Sequence, residues 1–216
     1  MSDHLRVLYL HGFASSPQSR KAQFFAEKLA ACGVRMDIPA LDRGDFEHLT
    51  ITAQLEIVDR AASGHPVALI GSSLGGYLAA LYAARNTNVL RVVLLAPAFQ
   101  FHHLWTSRLN AQQLEDWRNK GSVPIFHYGE RREVPISYGL IQDAAQYEPW
   151  PDFPQPALIF HGTEDASVPV EYSVEFVRTH PNAHLIRMPS GHELTDVLDE
   201  IWRQSSEFLL GVDLSK

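Results

Sequence analysis

Cysteine is almost missing from this chain. Cys32 stands alone among 216 residues, so no intramolecular disulfide can form and no multi-cysteine metal site exists. It falls on the apolar side of a predicted helix, where a small core residue is expected rather than a nucleophile. Long apolar runs are missing too, since none approaches the ~18 residues of a membrane span. Residues Met1 to Arg6 lack the basic segment and following apolar stretch of a secretory signal, so a cytoplasmic protein is expected. No cluster of Lys and Arg stands out, and 18 basic against 25 acidic residues give a formal charge of -7. That balance argues against a nucleic-acid surface and fits a small or neutral partner. Two motifs also fail. In His192-Glu193-Leu194-Thr195-Asp196 an aspartate takes the place of the second histidine of H-E-x-x-H. Gly71 to Gly76 contains neither G-x-G-x-x-G nor Gly-Lys-Ser. A zinc protease and a nucleotide site are not supported, and no metal or cofactor is expected.

What is present is a chain of 45% hydrophobic and 20% charged residues, the balance of a single domain, 1–216, with a full core. Its organising stretch is Val67 to Ala80. Four apolar residues run into Gly71-Ser72-Ser73-Leu74-Gly75 and then into apolar positions at helical spacing, which reads as strand, sharp turn and helix. The turn fits G-x-S-x-G with Ser73 as the serine in register. A turn this tight brings the positions two before and two after the serine against neighbouring backbone, so both must be glycine. Ser73 itself is expected at positive φ, a strain of about 1–3 kcal/mol for a residue with a side chain.

Taken in order, Val7 to Leu10 reads as a buried strand stopping at His11-Gly12-Phe13. Ala22, Phe25, Leu29 and Cys32 mark a helix ended by Gly33, and Val34 to Pro39 alternates like a strand. A second helix carries Ile51, Leu55, Val58 and Ala62. After the Ser73 turn come a strand over 91–96, another over 157–160, a helix around 170–178 and a last strand over 184–187. The final helix has Leu194, Val197, Leu198, Ile201, Trp202, Phe208 and Leu209 on one face. Strands alternating with helices imply a mostly parallel central sheet flanked by helices, with Ser73 at the C-terminal edge where ligands bind. The rhythm breaks over 98–155. Residues 99–150 hold nine of the 22 aromatic side chains, with two short helices expected around 107–119 and 137–147. A segment this long between sheet strands reads as a small helical lid or as aromatic packing on the sheet.

A serine needs an imidazole to take its proton and a carboxylate to hold that imidazole in the right tautomer. Asp165 and His192 each follow the end of a predicted strand, on the edge where Ser73 sits, in the order Ser, Asp, His. Glu164 is an alternative acid, and His161, His180, His102 and His103 are alternative bases. An oxyanion would be met by the backbone N–H of Leu74, at the start of the helix, and by that of Phe13 in the loop after the first strand.

The motifs Leu-Tyr-Leu-His-Gly-Phe-Ala-Ser-Ser-Pro (8–17) and Gly-Ser-Ser-Leu-Gly-Gly-Tyr (71–77) resemble those of the α/β-hydrolase superfamily, and of its small YqiA-like esterases in particular. His-Gly-Thr-Glu-Asp-Ala-Ser-Val-Pro (161–169) is similar to depalmitoylating and acyl-glucuronide-cleaving serine hydrolases. The resemblance implies an α/β-hydrolase fold with reduced N-terminal strands, with Ser73 as nucleophile, Asp165 as acid and His192 as base. It implies the Phe13 and Leu74 amides as oxyanion hole. The expected activity is a serine carboxylesterase acting on short- to medium-chain acyl or aromatic esters, with a small-molecule ester as partner. An acyl thioesterase and a non-catalytic small-ligand receptor of the same fold are the alternatives.

Overall fold

Apolar side chains on successive residues of β1 (Arg6–Leu10), β3 (Val67–Ser72) and β4 (Val89–Leu95) demand cover on both faces of the sheet. A computed structural model describing residues 5–211 shows how the cover is supplied. Leu8, Leu10, Leu69, Val92 and Leu94 enter one core with α2 (Ile51–Ala62), α3 (Leu74–Arg85) and α7 (Val170–Thr179). Val7, Tyr9, Ala68, Ile70, Val93 and Leu95 enter the other, with α1 (Arg20–Ala31) and α8 (Leu198–Leu210).

The sheet has six parallel strands in the order β2-β1-β3-β4-β7-β8, where β2 is Met36–Asp37, β7 is Ala157–Gly162 and β8 is Ala183–Met188. Strand order reverses between β1 and β3, paired from Arg6↔Val67 to Leu10↔Gly71. Such a reversal leaves a crevice beyond the carboxyl ends of the two strands, the place where open α/β sheets bind ligands. The loops after β7 and β8 reach the same edge, since Gly162 pairs with Met188 at the end of that ladder.

Helix starts follow local chemistry. Ser19 and Thr50 accept hydrogen bonds from the Ala22 and Ala53 amides at the heads of α1 and α2. Cys32 departs from expectation: it is exposed. Helix α1 ends at Ala31, and Cys32 is its C-cap, turned away before the left-handed Gly33 (φ +73°). The expected strand over 34–39 shrinks to Met36–Asp37. Leu194 lies outside α8, at φ +55°, although it is buried as its spacing suggested.

Between β4 and β7 the chain forms α4 (Phe101–Thr106), α5 (Ala111–Lys120), a hairpin of β5 (Ser122–His127) and β6 (Arg132–Ser137), and α6 (Gly139–Ala144). Helices α5 and α6 fall where two were expected. Between them lies a hairpin that the sequence reading did not include, whose ladder pairs Pro124 with Pro135. A separate two-stranded ladder tolerates proline because each strand has a free edge. Val134 and Ile136 point into the core, as does Trp117, whose indole N–H donates to the Ile136 carbonyl at 3.1 Å. Two backbone bonds tie the hairpin to the sheet-edge loops: Tyr128 N–H donates to Ala14 O, and Ser137 N–H to Glu47 O, each at 2.8 Å. Among the described residues no helix is long and apolar enough to cross a membrane.

Candidate active site

Strand β3 delivers Ser73 at φ +54°, ψ −118°, the strained geometry its motif predicts. The flanking glycines show why the turn can close. A Cβ on Gly71 would lie 2.7 Å from the carbonyl carbon of Gly75, and one on Gly75 would lie 2.5 Å from the carbonyl carbon of Leu10. Backbone cannot step aside at such separations, so α3 can pack this tightly against β1 and β3 only with glycine at both sites. The Ser73 amide donates to Leu95 O at 2.9 Å, and its carbonyl accepts from the amides of Gly76, Tyr77 and Ala98. The turn is thus held from β4 as well as from its own helix.

Three of the side chains singled out in the sequence meet here. His192 Nε2 lies 3.0 Å from Ser73 Oγ, and His192 Nδ1 lies 2.7 Å from Asp165 Oδ2. The carboxylate of Asp165 is fully buried. Its other oxygen, Oδ1, accepts from the amides of Ser167 and Val168, both at 2.8 Å. Burial pushes the Asp165 carboxyl up, but the adjoining His161 and His192 imidazoles and the Val168 amide more than offset it. It is held well below the usual carboxylate range, hence ionised. With an anion at Nδ1, the neutral ring carries its proton there and leaves Nε2 free to accept from the Ser73 hydroxyl.

The alternatives stand elsewhere. Glu164 is exposed. His180 stacks on Phe176 at a centroid distance of 3.8 Å, at the end of α7. His102 and His103 lie on α4. His161 is fully buried against the far side of Asp165, with Nε2 3.2 Å from Oδ2.

The first loop comes equally close. A Cβ on Gly12 would lie 3.3 Å from Ser73 Cβ and 4.0 Å from its hydroxyl oxygen, so a side chain there would stand directly against the serine. His11 is buried and joins this loop to the next, accepting from the Leu41 amide at Nε2 (3.3 Å) and donating from Nδ1 to Gly12 O (3.1 Å). Burial pushes its pKa down, so it stays neutral and has no free nitrogen for proton transfer. Phe13 follows. Its ring packs on Phe46 (5.2 Å) and on Trp105 of α4 (5.1 Å). Leu74 opens α3, so its amide belongs to the positive end of that helix. Beyond Trp105 lies a recess of about 280 Å³ lined by Trp105, Leu109, Trp117, Val123 and Ile125 together with Gln113, Asp116 and Lys120.

Sequence reasoning missed Lys21. It lies on the buried side of α1, and its Nζ donates to the Glu193 carbonyl at 2.9 Å, directly after His192. The signal available was position: Lys21 precedes Ala22 and stands four residues before Phe25, within the apolar stripe. Among the described residues no group of three or more His, Cys, Asp or Glu side chains is placed to hold a metal.

A parallel sheet in this order, with a serine at a strained strand-to-helix turn, defines the α/β-hydrolase fold. Solved structures agree. The chain superposes on Est1E from Butyrivibrio proteoclasticus, solved with ferulic acid bound, with a TM-score of 0.81 at 21% identity over 96% of this chain and 88% of that one. Mouse alpha/beta hydrolase domain-containing protein 10 gives 0.81 at 18% identity over 94% and 89%. The monoacylglycerol lipase of Paleococcus ferrophilus gives 0.75 at 18% identity over 95% and 94%. Within that class, the chain belongs to the uncharacterised protein family UPF0227, whose model matches residues 6–209.

Proposed function

We propose that this protein is a serine carboxylesterase working through an acyl-enzyme on Ser73. The observation that carries this reading is the unbroken contact from Ser73 Oγ to His192 Nε2 at 3.0 Å and from His192 Nδ1 to Asp165 Oδ2 at 2.7 Å. Ser73 Oγ attacks the ester carbonyl carbon while His192 Nε2 takes its proton. The carbonyl oxygen becomes an oxyanion facing the backbone N–H groups of Phe13 and Leu74. His192 then gives the proton to the leaving alkoxide, and the alcohol departs. Water enters and attacks the acyl carbon while His192 Nε2 takes one of its protons; as the acyl–Oγ bond breaks, His192 returns that proton to Ser73 Oγ and the carboxylic acid departs. Asp165 remains anionic throughout, orienting the ring and stabilising the imidazolium.

In this reading residues 98–155 form a cap within a single domain, and the substrate is a small ester with a short- to medium-chain or aromatic acyl group. The rings of Phe13 and Trp105 beside the candidate oxyanion loop support that preference. Est1E carries ferulic acid, an aromatic acid.

The test is intact-mass spectrometry after fluorophosphonate treatment of the wild type and Ser73→Ala. Hydrolysis of p-nitrophenyl esters of graded chain length, and of acyl-CoA counterparts, is followed alongside. One adduct on the wild type, none on the variant, and ester turnover lowered by orders of magnitude, up to ~10⁶, are expected. Faster cleavage of the thioester would reassign the substrate class. No adduct and no turnover in the wild type would refute the reading and point to a ligand-binding protein of hydrolase fold.

A further inference from the structure

We infer that His161 is a positioning residue for the candidate acid, its tautomer set by the Val168 carbonyl and matched by Ser173, so that the relay from Ser73 extends through Asp165 to helix α7. The inference rests on the roles given to Ser73, His192 and Asp165 above. Its basis is a continuous line of side chains. Ser173 Oγ lies 2.7 Å from His161 Nδ1, and His161 Nε2 lies 3.2 Å from Asp165 Oδ2. The same carboxylate oxygen receives His192 Nδ1 at 2.7 Å.

The sequence places these groups together through strand parity. On β7, Ile159 faces the core shared with α7, and His161, two residues on, faces the same way. Helix α7 brings Ser173 over it, and both side chains are fully buried. Partners then fix every proton. His161 Nε2 also contacts the Val168 carbonyl at 3.0 Å, and a carbonyl only accepts, so Nε2 must carry the hydrogen. In the neutral ring Nδ1 is then an acceptor, and the Ser173 hydroxyl donates to it.

Two consequences follow for Asp165. The bond from His161 to Val168 O closes the loop from 162 to 168 across its base, which holds the Ser167 and Val168 amides on Oδ1. The positive end of the Nε2–H dipole also lies near Oδ2, the oxygen that faces His192 Nδ1, and shares its charge with the His192 ring. Other charged or titratable groups around this centre are Lys21 from α1, Glu193 beside the base, and Arg108 from the segment after α4, which bonds to the Ser167 carbonyl. None of these would replace a donor lost at Oδ2 from the α7 side.

The test compares His161→Leu, which keeps bulk and removes the donor, with His161→Gln, whose amide N–H can reach the Nε2 position. Both are read by p-nitrophenyl ester kinetics across pH and by imidazole ¹⁵N NMR titration. His161→Leu is expected to lower kcat about 10-fold or more with KM nearly unchanged. It should move the acid limb of kcat/KM to higher pH, because Oδ2 without its second donor stabilises protonated His192 more strongly. His161→Gln should restore both the rate and the limb. Ser173→Ala, the milder change to use if the leucine variant fails to fold, should shift the limb in the same direction. Wild-type kcat and an unmoved limb in a folded His161→Leu or Ser173→Ala protein would overturn the inference, as would a glutamine variant no better than leucine. The NMR titration of His192 reads the same shift without turnover. An inactive wild type would therefore sink the esterase reading while this coupling was still decided, and a His161 found protonated at Nδ1 would refute it directly.

Discussion

Replacing Ser73 by glycine should make the protein more stable than replacing it by alanine. Both substitutions remove Oγ and its contact with His192, so that loss cancels between them. Alanine keeps a Cβ at φ +54°, ψ −118°, a conformation that costs a non-glycine residue about 1–3 kcal/mol. Glycine releases that strain and gives back about 0.5–1 kcal/mol through the larger entropy of its unfolded chain. Ser73 is only partly buried, so deleting a Cβ there forfeits little packing. The net expectation is a glycine variant more stable than the alanine variant by roughly 0.5–2 kcal/mol, the reverse of the usual order of the two residues. For a chain of this size each kcal/mol moves the thermal midpoint by about 2–4 °C, within reach of calorimetry, with urea titration as a second measure. A Ser73→Gly midpoint at or below that of Ser73→Ala would refute the idea that strain is stored at the turn.

Other expectations concern neighbours of the same site. Gly75→Ala places a Cβ 2.5 Å from the Leu10 carbonyl carbon, and urea unfolding should show a loss of about 3 kcal/mol or more. Gly12→Ala meets Ser73 Cβ at 3.3 Å and the Ser72 carbonyl oxygen at 3.4 Å, contacts that a shift of a few tenths of an ångström relieves, so its midpoint should stay near wild type while ester turnover falls about 10-fold or more through misplacement at the hydroxyl. Asp165 has a folded pKa below its unfolded value of about 3.9, so its stabilising contribution is fully present above that value and is lost as pH falls through the folded pKa. The urea-midpoint gap between wild type and Asp165→Asn should therefore be wide at neutral pH and begin to shrink only as pH falls below about 4; a constant gap down to pH 3 would contradict the assignment. Lys21→Met removes the donor to the Glu193 carbonyl together with a buried ammonium whose desolvation pushes its pKa down. The two effects oppose each other in stability, and a change within about 1 kcal/mol is expected. A drop in kcat would then report the freed His192 loop.

The site was legible in the sequence to the extent that its residues sit on strand ends. Ser73, Asp165 and His192 each follow a short apolar run closed by a glycine-bearing loop, and parallel strands deliver such loops to one edge. At Gly162 a Cβ would lie 2.9 Å from the Ser190 carbonyl carbon, and only glycine lets the loops carrying Asp165 and His192 touch. The β5–β6 hairpin was not legible because Pro124 and Pro135 argue against strands and only a ladder with free edges accepts them. Cys32 was misplaced because periodicity extends a face past the point where the helix stops. His161 could be noticed but not understood: its partners are a hydroxyl 12 residues on and a loop carbonyl, neither announced by a motif. Lys21 shows the matching failure, a charge hidden in an apolar stripe whose acceptor, Glu193 O, lies 172 positions away.

The bond from the Tyr128 amide to the Ala14 carbonyl bears on how this fold can be re-engineered. Specificity in enzymes of this architecture invites grafting, in which the segment between two sheet strands is exchanged for one from a relative. Here the graft junction is not confined to the segment's ends, because the turn at 128–131 grips the loop that carries Phe13. A chimera that keeps both ends but shortens this turn would free that loop. On the proposed esterase reading it would then register as an across-the-board loss of acylation rate rather than as a new substrate preference. Retaining His127 to Arg132 together with α4, whose Trp105 packs on Phe13, and exchanging only α5 and α6 would separate the two properties.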